Sequence, residues 1–382
     1  MMAEDRKSQL SKILGFSAGA IDIPSHLLEE AVRRYGEVGQ WLGAADSPLF
    51  CNSPEIYPQG SARLGTMTRP LTDKDEYDID LVCSLQLKKE SISQKELKNR
   101  VGDRLRQNEE YCLDLDEGRR CWVLHMDKRF HMDVLPAIPD NEGRLASILI
   151  TDKELTRWQH SDPKGYANWF WTRMEVIFNE EKQTLAKAMQ VEIEDVPDSK
   201  VKTPLQQSIQ ILKRHRDIYF KNDLDDRPIS IIISTLAAWA YMGQADLFDA
   251  LVNIVRSMPD QIEKRNGVYW VANPVNEGEN FADKWQGHPH RREKLFSWFQ
   301  KLDADLKGAL EARGINEVAA VLSHSLGQTT VSKAVKTLGT VINEQRQSGK
   351  LYVEPGSGIV GSVGLHVRPH TFYGALPQPQ GD

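Results

Sequence analysis

The sequence is poor in cysteine: Cys51, Cys83, Cys112 and Cys121 are the four in 382 residues, and none forms a Cys-x-x-Cys pair. That spacing argues against a zinc ribbon, a redox motif or a disulfide framework. Each cysteine has an apolar or aromatic neighbour in sequence, so all four are expected as buried free thiols. No apolar run approaches the roughly 20 residues of a membrane span. The stretch Met1 to Lys7 leads into no apolar core segment, so a secretory signal is not expected. There is no excess of positive charge: 48 Lys and Arg stand against 54 Asp and Glu, for a net −6. No global field draws nucleic acid to such a chain, although a local basic groove stays open. No internal repeat is present. A soluble, cytoplasmic protein is the expectation.

What is present is the composition of an ordinary globular protein, at a length that suits two lobes sharing an interface. Residues 1–46 read as helices. Ser25 is the expected cap of the second, whose apolar residues Leu28, Ala31, Val32, Tyr35, Val38 and Leu42 recur at helical spacing. Ser91 to Asn108 reads as a basic surface helix. Residues 121–126 and 129–136 are apolar runs joined by a short polar turn, which predicts an antiparallel pair. Ile148 to Thr151 is a further strand. An aromatic-rich passage from Trp158 to Trp171 then opens a helical half. Thr203 to Phe220 is a helix with Pro204 at its first turn. The stretch 228–240 is apolar nearly all round and reads as a central helix. Residues 247–258, 291–313, 315–322 and 331–345 are further helices. From Glu354 the recurring glycines and prolines read as a mobile tail. The expected division is 1–46 bracing helices, 47–200 core, 201–353 helical lobe and 354–382 tail.

Two segments carry chemistry. Gln59-Gly60-Ser61 is a turn in which glycine lets the backbone approach a phosphate and serine donates to its oxygens. Sixteen residues later, Asp78-Ile79-Asp80 lies in the strand 76–85. Alternation puts Tyr77, Ile79, Leu81 and Cys83 on one face and Asp78, Asp80 and Val82 on the other. Two carboxylates on one strand face repel unless a cation or proton separates them. A third, Asp133, sits alone among Met132, Val134 and Leu135, where an unpaired charge is expensive. Gly-Ser turns and Asp-x-Asp pairs are each common; the combination with a lone strand aspartate is specific. Three carboxylates can hold two divalent ions about 3.5–4 Å apart, the requirement of nucleotidyl transfer.

The pattern resembles the DNA polymerase β-like nucleotidyltransferases. It resembles more closely the bacterial cyclic-oligonucleotide synthases related to cyclic GMP–AMP synthase, the CD-NTases or SMODS enzymes of antiphage CBASS systems. Residues 57–61 with 64–66, 77–82 and 131–136 carry the superfamily likeness. Residues 203–206 with 211–217, 228–230, and 273–276 with 279–285 narrow it to the family. The resemblance implies an α+β fold with a mixed or antiparallel sheet, a helical lobe and an active site in the cleft between them. It implies Mg²⁺ as cofactor, two ions with Mn²⁺ as a substitute, held by Asp78, Asp80 and Asp133. It implies nucleotide contacts from Gln59, Gly60, Ser61, Lys213 and Ser230. Arg214, His215 and Arg216 stay unassigned. The segment Asn273 to Trp285 is expected to pack between the lobes, with Asn280, Asp283 and Lys284 as nucleotide contacts or structural residues. NTPs, purine ones by preference, are the implied substrates. The implied product is a cyclic di- or trinucleotide that activates a downstream effector. The C-terminal tail is a candidate handle for conjugation machinery. Two other readings remain: a template-independent transferase acting on RNA ends or a protein, and a non-catalytic nucleotide sensor. The sensor is disfavoured because all three acids are present.

Overall fold

The computed structural model describes residues 2–367 except 73, 74, 127, 128, 143–146, 152, 153, 155, 354–359 and 362–364. It divides into two compact units. One is Ile21–Ala304; the other joins Met1–Ala20 to Asp305–Asp382.

In chain order the elements are α1 (Met2–Ile21), α2 (Ser25–Gly43), β1 (Glu55–Pro58), α3 (Gly60–Leu64), β2 (Tyr77–Ser84) and α4 (Gln94–Arg106). Next come β3 (Leu115–Glu117), β4 (Trp122–Met126), β5 (Phe130–Pro139), β6 (Ile148–Thr151), β7 (Trp158–Ser161), α5 (Pro163–Thr172) and α6 (Glu175–Met189). Then follow α7 (Pro204–Tyr219), α8 (Ser230–Ala240), α9 (Leu247–Ser257), the short strands β8 (Glu263–Arg265), β9 (Val268–Trp270), β10 (Ala272–Asn273) and β11 (Asn276–Asn280), and α10 (Pro289–Glu311). The chain ends with α11 (Ile315–Leu326), α12 (Gln328–Gln347) and strands β12 (Tyr352–Val353), β13 (Val360–Gly361) and β14 (Leu365–His366).

A seven-stranded mixed sheet organises the larger unit, in the order β1-β2-β5-β4-β3, with β6 and β7 continuing from the far end of β5. β2 and β5 run parallel; β4 and β5 are antiparallel, as the short turn predicts. Both central strands alternate. Ile79, Leu81 and Cys83 of β2 and Phe130, Met132 and Val134 of β5 face a core closed by Val38 and Leu42 of α2 and Leu97, Val101 and Leu105 of α4. Gly102 lets α4 approach this closely: a Cβ there would lie 2.2 Å from the Trp122 ring. The opposite face presents Asp78, Asp80, His131 and Asp133.

The helical part of the same unit starts at α7. Thr203 and Gln206 form a reciprocal capping box, with Pro204 as the first helical residue. In the smaller unit α11 and α12 pack on each other across Gly327, and β12 pairs with β13 and β14.

Several expectations need correction. Ser25 is the first residue of α2 and caps nothing; Pro24 precedes it and its carbonyl accepts from Leu27 and Leu28. Only Cys83 is buried, while Cys121 is half-buried and Cys51 and Cys112 are exposed. The exposed pair sits in single 3₁₀ turns at Phe50–Asn52 and Tyr111–Asp114, where an apolar neighbour in sequence does not confer burial. Val32 is an exposed member of an otherwise packed helix face. The basic helix α4 buries two of its cations. Lys98 pairs with Glu117 at 2.8 Å, and the Arg104 guanidinium lies 3.7 Å from the centre of the Trp41 ring. The expectation of a mobile tail falls largely outside the described residues; its described parts are β13, β14 and Val367.

Candidate active site

The sheet register assembles the acids. In the parallel ladder Asp78 lies opposite His131 and Asp80 opposite Asp133. One ligand oxygen from each of Asp78, Asp80 and Asp133 falls within 4.8 Å of the others. β1 runs antiparallel to β2, and the Gln59 amide donates to the Asp80 carbonyl at 2.9 Å. The chain then turns sharply into α3 through Gly60, at φ +60°. A Cβ at Gly60 would lie 2.2 Å from Asp80 Oδ2. Glycine is therefore required both for the left-handed backbone and for the close approach of the carboxylate.

Charge at the acids is strained. Burial, then repulsion from Asp78 and Asp133, pushes the Asp80 carboxyl up to about 7. Asp133 is also raised, chiefly by burial, with the Cys121 thiol opposing by donating to Oδ2 at 3.4 Å. Asp78 is the exposed member, with 58% of its side chain accessible. Three convergent carboxylates, one of them driven toward protonation at neutral pH, fit a hard divalent cation.

α7 forms the facing wall. Its residues Gln206, Gln210 and Lys213 recur at i, i+4 and i+7 and grip the loop that follows α3. Gln206 Nε2 donates to the Leu64 carbonyl at 3.0 Å and Gln210 Nε2 to that of Met67 at 2.8 Å. Lys213 Nζ reaches the Thr66 carbonyl at 2.9 Å and its hydroxyl at 3.2 Å. Arg214 donates to the Arg69 carbonyl at 2.6 Å. Lys213, Arg214, His215 and Arg216 are all buried, so this run is no solvated face. Burial and the neighbouring Arg216 depress the Lys213 ammonium to about 7.

A cleft of about 680 Å³ is lined by Gly60, Ser61, Asp78, Asp80, Lys213 and Ser230, among others. Asp133 joins these only through the proximity of its carboxylate to those of Asp78 and Asp80, while Gln59 occupies the N-cap position of α3 with no side-chain capping bond and does not line the cleft. Arg216, which the sequence left unassigned, also lines it. Its Nη1 donates to Ser230 Oγ at 2.9 Å and to the Pro228 carbonyl at 3.1 Å, and Asp217 balances its charge. Because Arg216 occupies an acceptor position of Ser230 Oγ, the hydroxyl proton is free to point into the cleft. A second cavity of about 450 Å³ shares Arg216, Leu224, Arg227 and Ser230 and adds Phe281, Asp283, Lys284 and Trp285. Asn280, a candidate nucleotide contact, is structural: its side chain bonds Val271, Ala282 and Tyr269 backbone groups and closes its own turn.

Residues 19–173 match the Second Messenger Oligonucleotide or Dinucleotide Synthetase (SMODS) domain. Over 384 residues the chain is 32% identical to the c-di-GMP synthase of Roseivirga ehrenbergii, spanning 98% of this chain and 100% of that one. It is 25% identical to the cyclic dinucleotide synthase CdnG of Bradyrhizobium diazoefficiens, over 96% and 94% of the two chains. The solved structure of the Bradyrhizobium diazoefficiens CD-NTase CdnG in complex with GTP superposes with a TM-score of 0.70 at 22% identity, covering 87% of this chain and 99% of that one. Fold, sequence and site chemistry agree: the chain belongs to the bacterial CD-NTases, a family of nucleotidyltransferases.

Proposed function

We propose that this enzyme joins purine NTPs, GTP foremost, into a cyclic dinucleotide with release of pyrophosphate. The observation that carries the reading is the convergence of Asp78, Asp80 and Asp133 within 4.8 Å beside a cleft walled by Lys213. The 32% identity to a c-di-GMP synthase supports guanine as the base.

Asp78, Asp80 and Asp133 hold Mg²⁺, with Mn²⁺ as a substitute. When bound, the metal neutralises the triphosphate and lowers the pKa of the attacking hydroxyl. Ser61, which lines the cleft beside Gly60, donates to the phosphates. Lys213 and Arg216 supply positive charge from the opposite wall, and Ser230 directs its hydroxyl toward the same oxygens. The Cys121 thiol donates to Asp133 Oδ2 and orients the carboxylate, which would also accept the proton of the attacking ribose hydroxyl. The ribose oxygen bonds to the α-phosphorus, the bond from that phosphorus to the β-phosphate bridge breaks, and pyrophosphate leaves. Repeating the step on the linear intermediate closes the ring. The smaller cavity suits a base: Phe281 and Ile229 contribute apolar surface to its lining, and Asp283, Lys284 and Arg291 contribute polar groups.

The product serves as a second messenger for a cyclic-nucleotide-activated effector in antiphage defence, in the cytoplasm where NTPs are abundant. The C-terminal tail is a candidate handle for conjugation machinery; intact-mass analysis from cells carrying that machinery tests this.

Incubation with labelled GTP and no acceptor is expected to give a phosphatase-resistant product, identified by mass spectrometry with each NTP omitted in turn. Label appearing only on RNA or on protein would overturn the reading.

A further inference from the structure

The three acids are held in three ways. Asp80 lies against the bare Cα of Gly60, and Asp133 accepts from Cys121. Asp78 is exposed, and burial does not fix its carboxylate. What meets it is His131, set directly opposite by the parallel register. His131 Nε2 lies 3.2 Å from Asp78 Oδ1, and Nδ1 lies 3.5 Å from Glu76 Oε2. The same Glu76 oxygen meets His125 Nδ1 at 3.0 Å, and His125 Nε2 faces Asp116 Oδ2 at 3.3 Å. Glu76 is the residue immediately before β2, two positions from Asp78. In the antiparallel ladder His125 lies opposite His131. A row of paired side chains thus leads from the most exposed acid across β5 and β4 to Asp116 in β3.

A carboxylate on an accessible side chain samples several rotamers, and a cation must select one of them. Carboxylates that ligate metals are usually fixed by a hydrogen bond to the oxygen that does not ligate, and loss of such a partner typically weakens metal binding about 10–100-fold. His131 has the reach and the support for this. The ring is half-buried, with Nε2 3.2 Å from Asp78 and Nδ1 facing Glu76 at the longer distance of 3.5 Å.

We propose that His131 is a positioning residue of the metal site: its Nε2–H holds Asp78 Oδ1 and leaves Oδ2 for the cation, with Glu76 beside the ring's other nitrogen. The inference rests on the assignment of Asp78, Asp80 and Asp133 as metal ligands. The role is one of orientation; His131 touches neither nucleotide nor reacting atoms.

Mn²⁺ binding, followed by electron paramagnetic resonance in the presence of a non-hydrolysable GTP analogue, tests it without turnover. His131→Ala is expected to raise the half-saturating Mn²⁺ about tenfold or more. It should leave the KM for GTP unchanged and regain most of its kcat at saturating Mn²⁺. His131→Gln, which keeps an N–H donor, should restore most of the Mn²⁺ affinity. Equal Mn²⁺ affinity in His131→Ala and the parent, or no advantage of glutamine over alanine, overturns the role. Asp78→Asn is the control. If it too binds Mn²⁺ like the parent, the ligand assignment itself has failed. If it binds weakly while His131→Ala does not, only the positioning role has. Should His131→Ala not fold, Glu76→Ala carries the test: weaker Mn²⁺ binding supports the inference, and unchanged binding overturns it.

Discussion

At the scale of single residues, Asp80, Gly60 and Lys213 are each placed where function and stability pull apart. Asp80→Asn or Asp133→Asn is expected to abolish synthesis, because loss of one ligand removes several kcal/mol of transition-state stabilisation. The folded state should not suffer, since Asp80→Asn also removes a carboxylate that burial and its neighbours push up to about 7. Single-turnover product formation together with a thermal melt checks both halves. Gly60→Ala should cost about 1–2 kcal/mol for the left-handed backbone and lower activity further, since its Cβ would displace Asp80; the same two measurements separate the effects. Lys213 carries the pH signature. Its ammonium sits near 7 when folded against an ordinary 10.5. Between those values the unfolded chain binds more protons, so this residue makes stability rise with pH, and its burial is most costly at and below pH 7. Lys213→Met is therefore expected to remove that slope without loss of stability at pH 7, and to raise the KM for GTP strongly. Urea denaturation at pH 7 and pH 9 reads the first outcome. A steeper fall in stability at pH 7 than at pH 9 would contradict it.

At the scale of elements, α7 acts as a fastener. Four of its polar side chains donate to backbone carbonyls between residues 64 and 69. Gln210 also meets Asp22 at 2.8 Å. Gln210→Leu leaves the buried Met67 carbonyl without its donor, which costs about 1–3 kcal/mol; a melting temperature lowered by several degrees is expected. This contact was hidden in the sequence. The strands were legible because a period of two shows in β2 and β5, and Asp133 stood out because a carboxylate among Met132, Val134 and Leu135 has no packing excuse. Gln206, Gln210 and Lys213 share a stripe of α7, but polar residues there look solvent-facing until a distant loop covers them. The same holds for Arg216, whose partners are Ser230, the first residue of the next helix, and Pro228 just before it. Exposed Cys51 and Cys112 show the reverse limit, where an apolar neighbour says little about a single turn. His131 left a trace only in its register with Asp78, which becomes visible once strands 77–84 and 130–139 are known to run parallel.

At the scale of the whole molecule, the net charge of −6 gives nucleic acid no general attraction. Single-stranded RNA is expected neither to bind in a mobility-shift assay at physiological salt nor to change the rate of product formation, and nuclease treatment should leave the rate unaltered. A retarded RNA band that disappears with added salt would point to a basic groove and reopen the RNA-end reaction. The parallel pairing of β2 with β5 bears on how the protein is born. Parallel strands need a long crossover, here all of the chain from 85 to 129, and contacts so distant in sequence form slowly. Asp78 and Asp80 are neighbours along β2, but Asp133 is supplied by β5, more than fifty residues later. A ribosome must deliver β5 before the third carboxylate exists, and α7 and α8 before the opposing wall does. A chain truncated before Ser230 lacks part of the lining of the cleft and is expected to be inert amid abundant nucleotide.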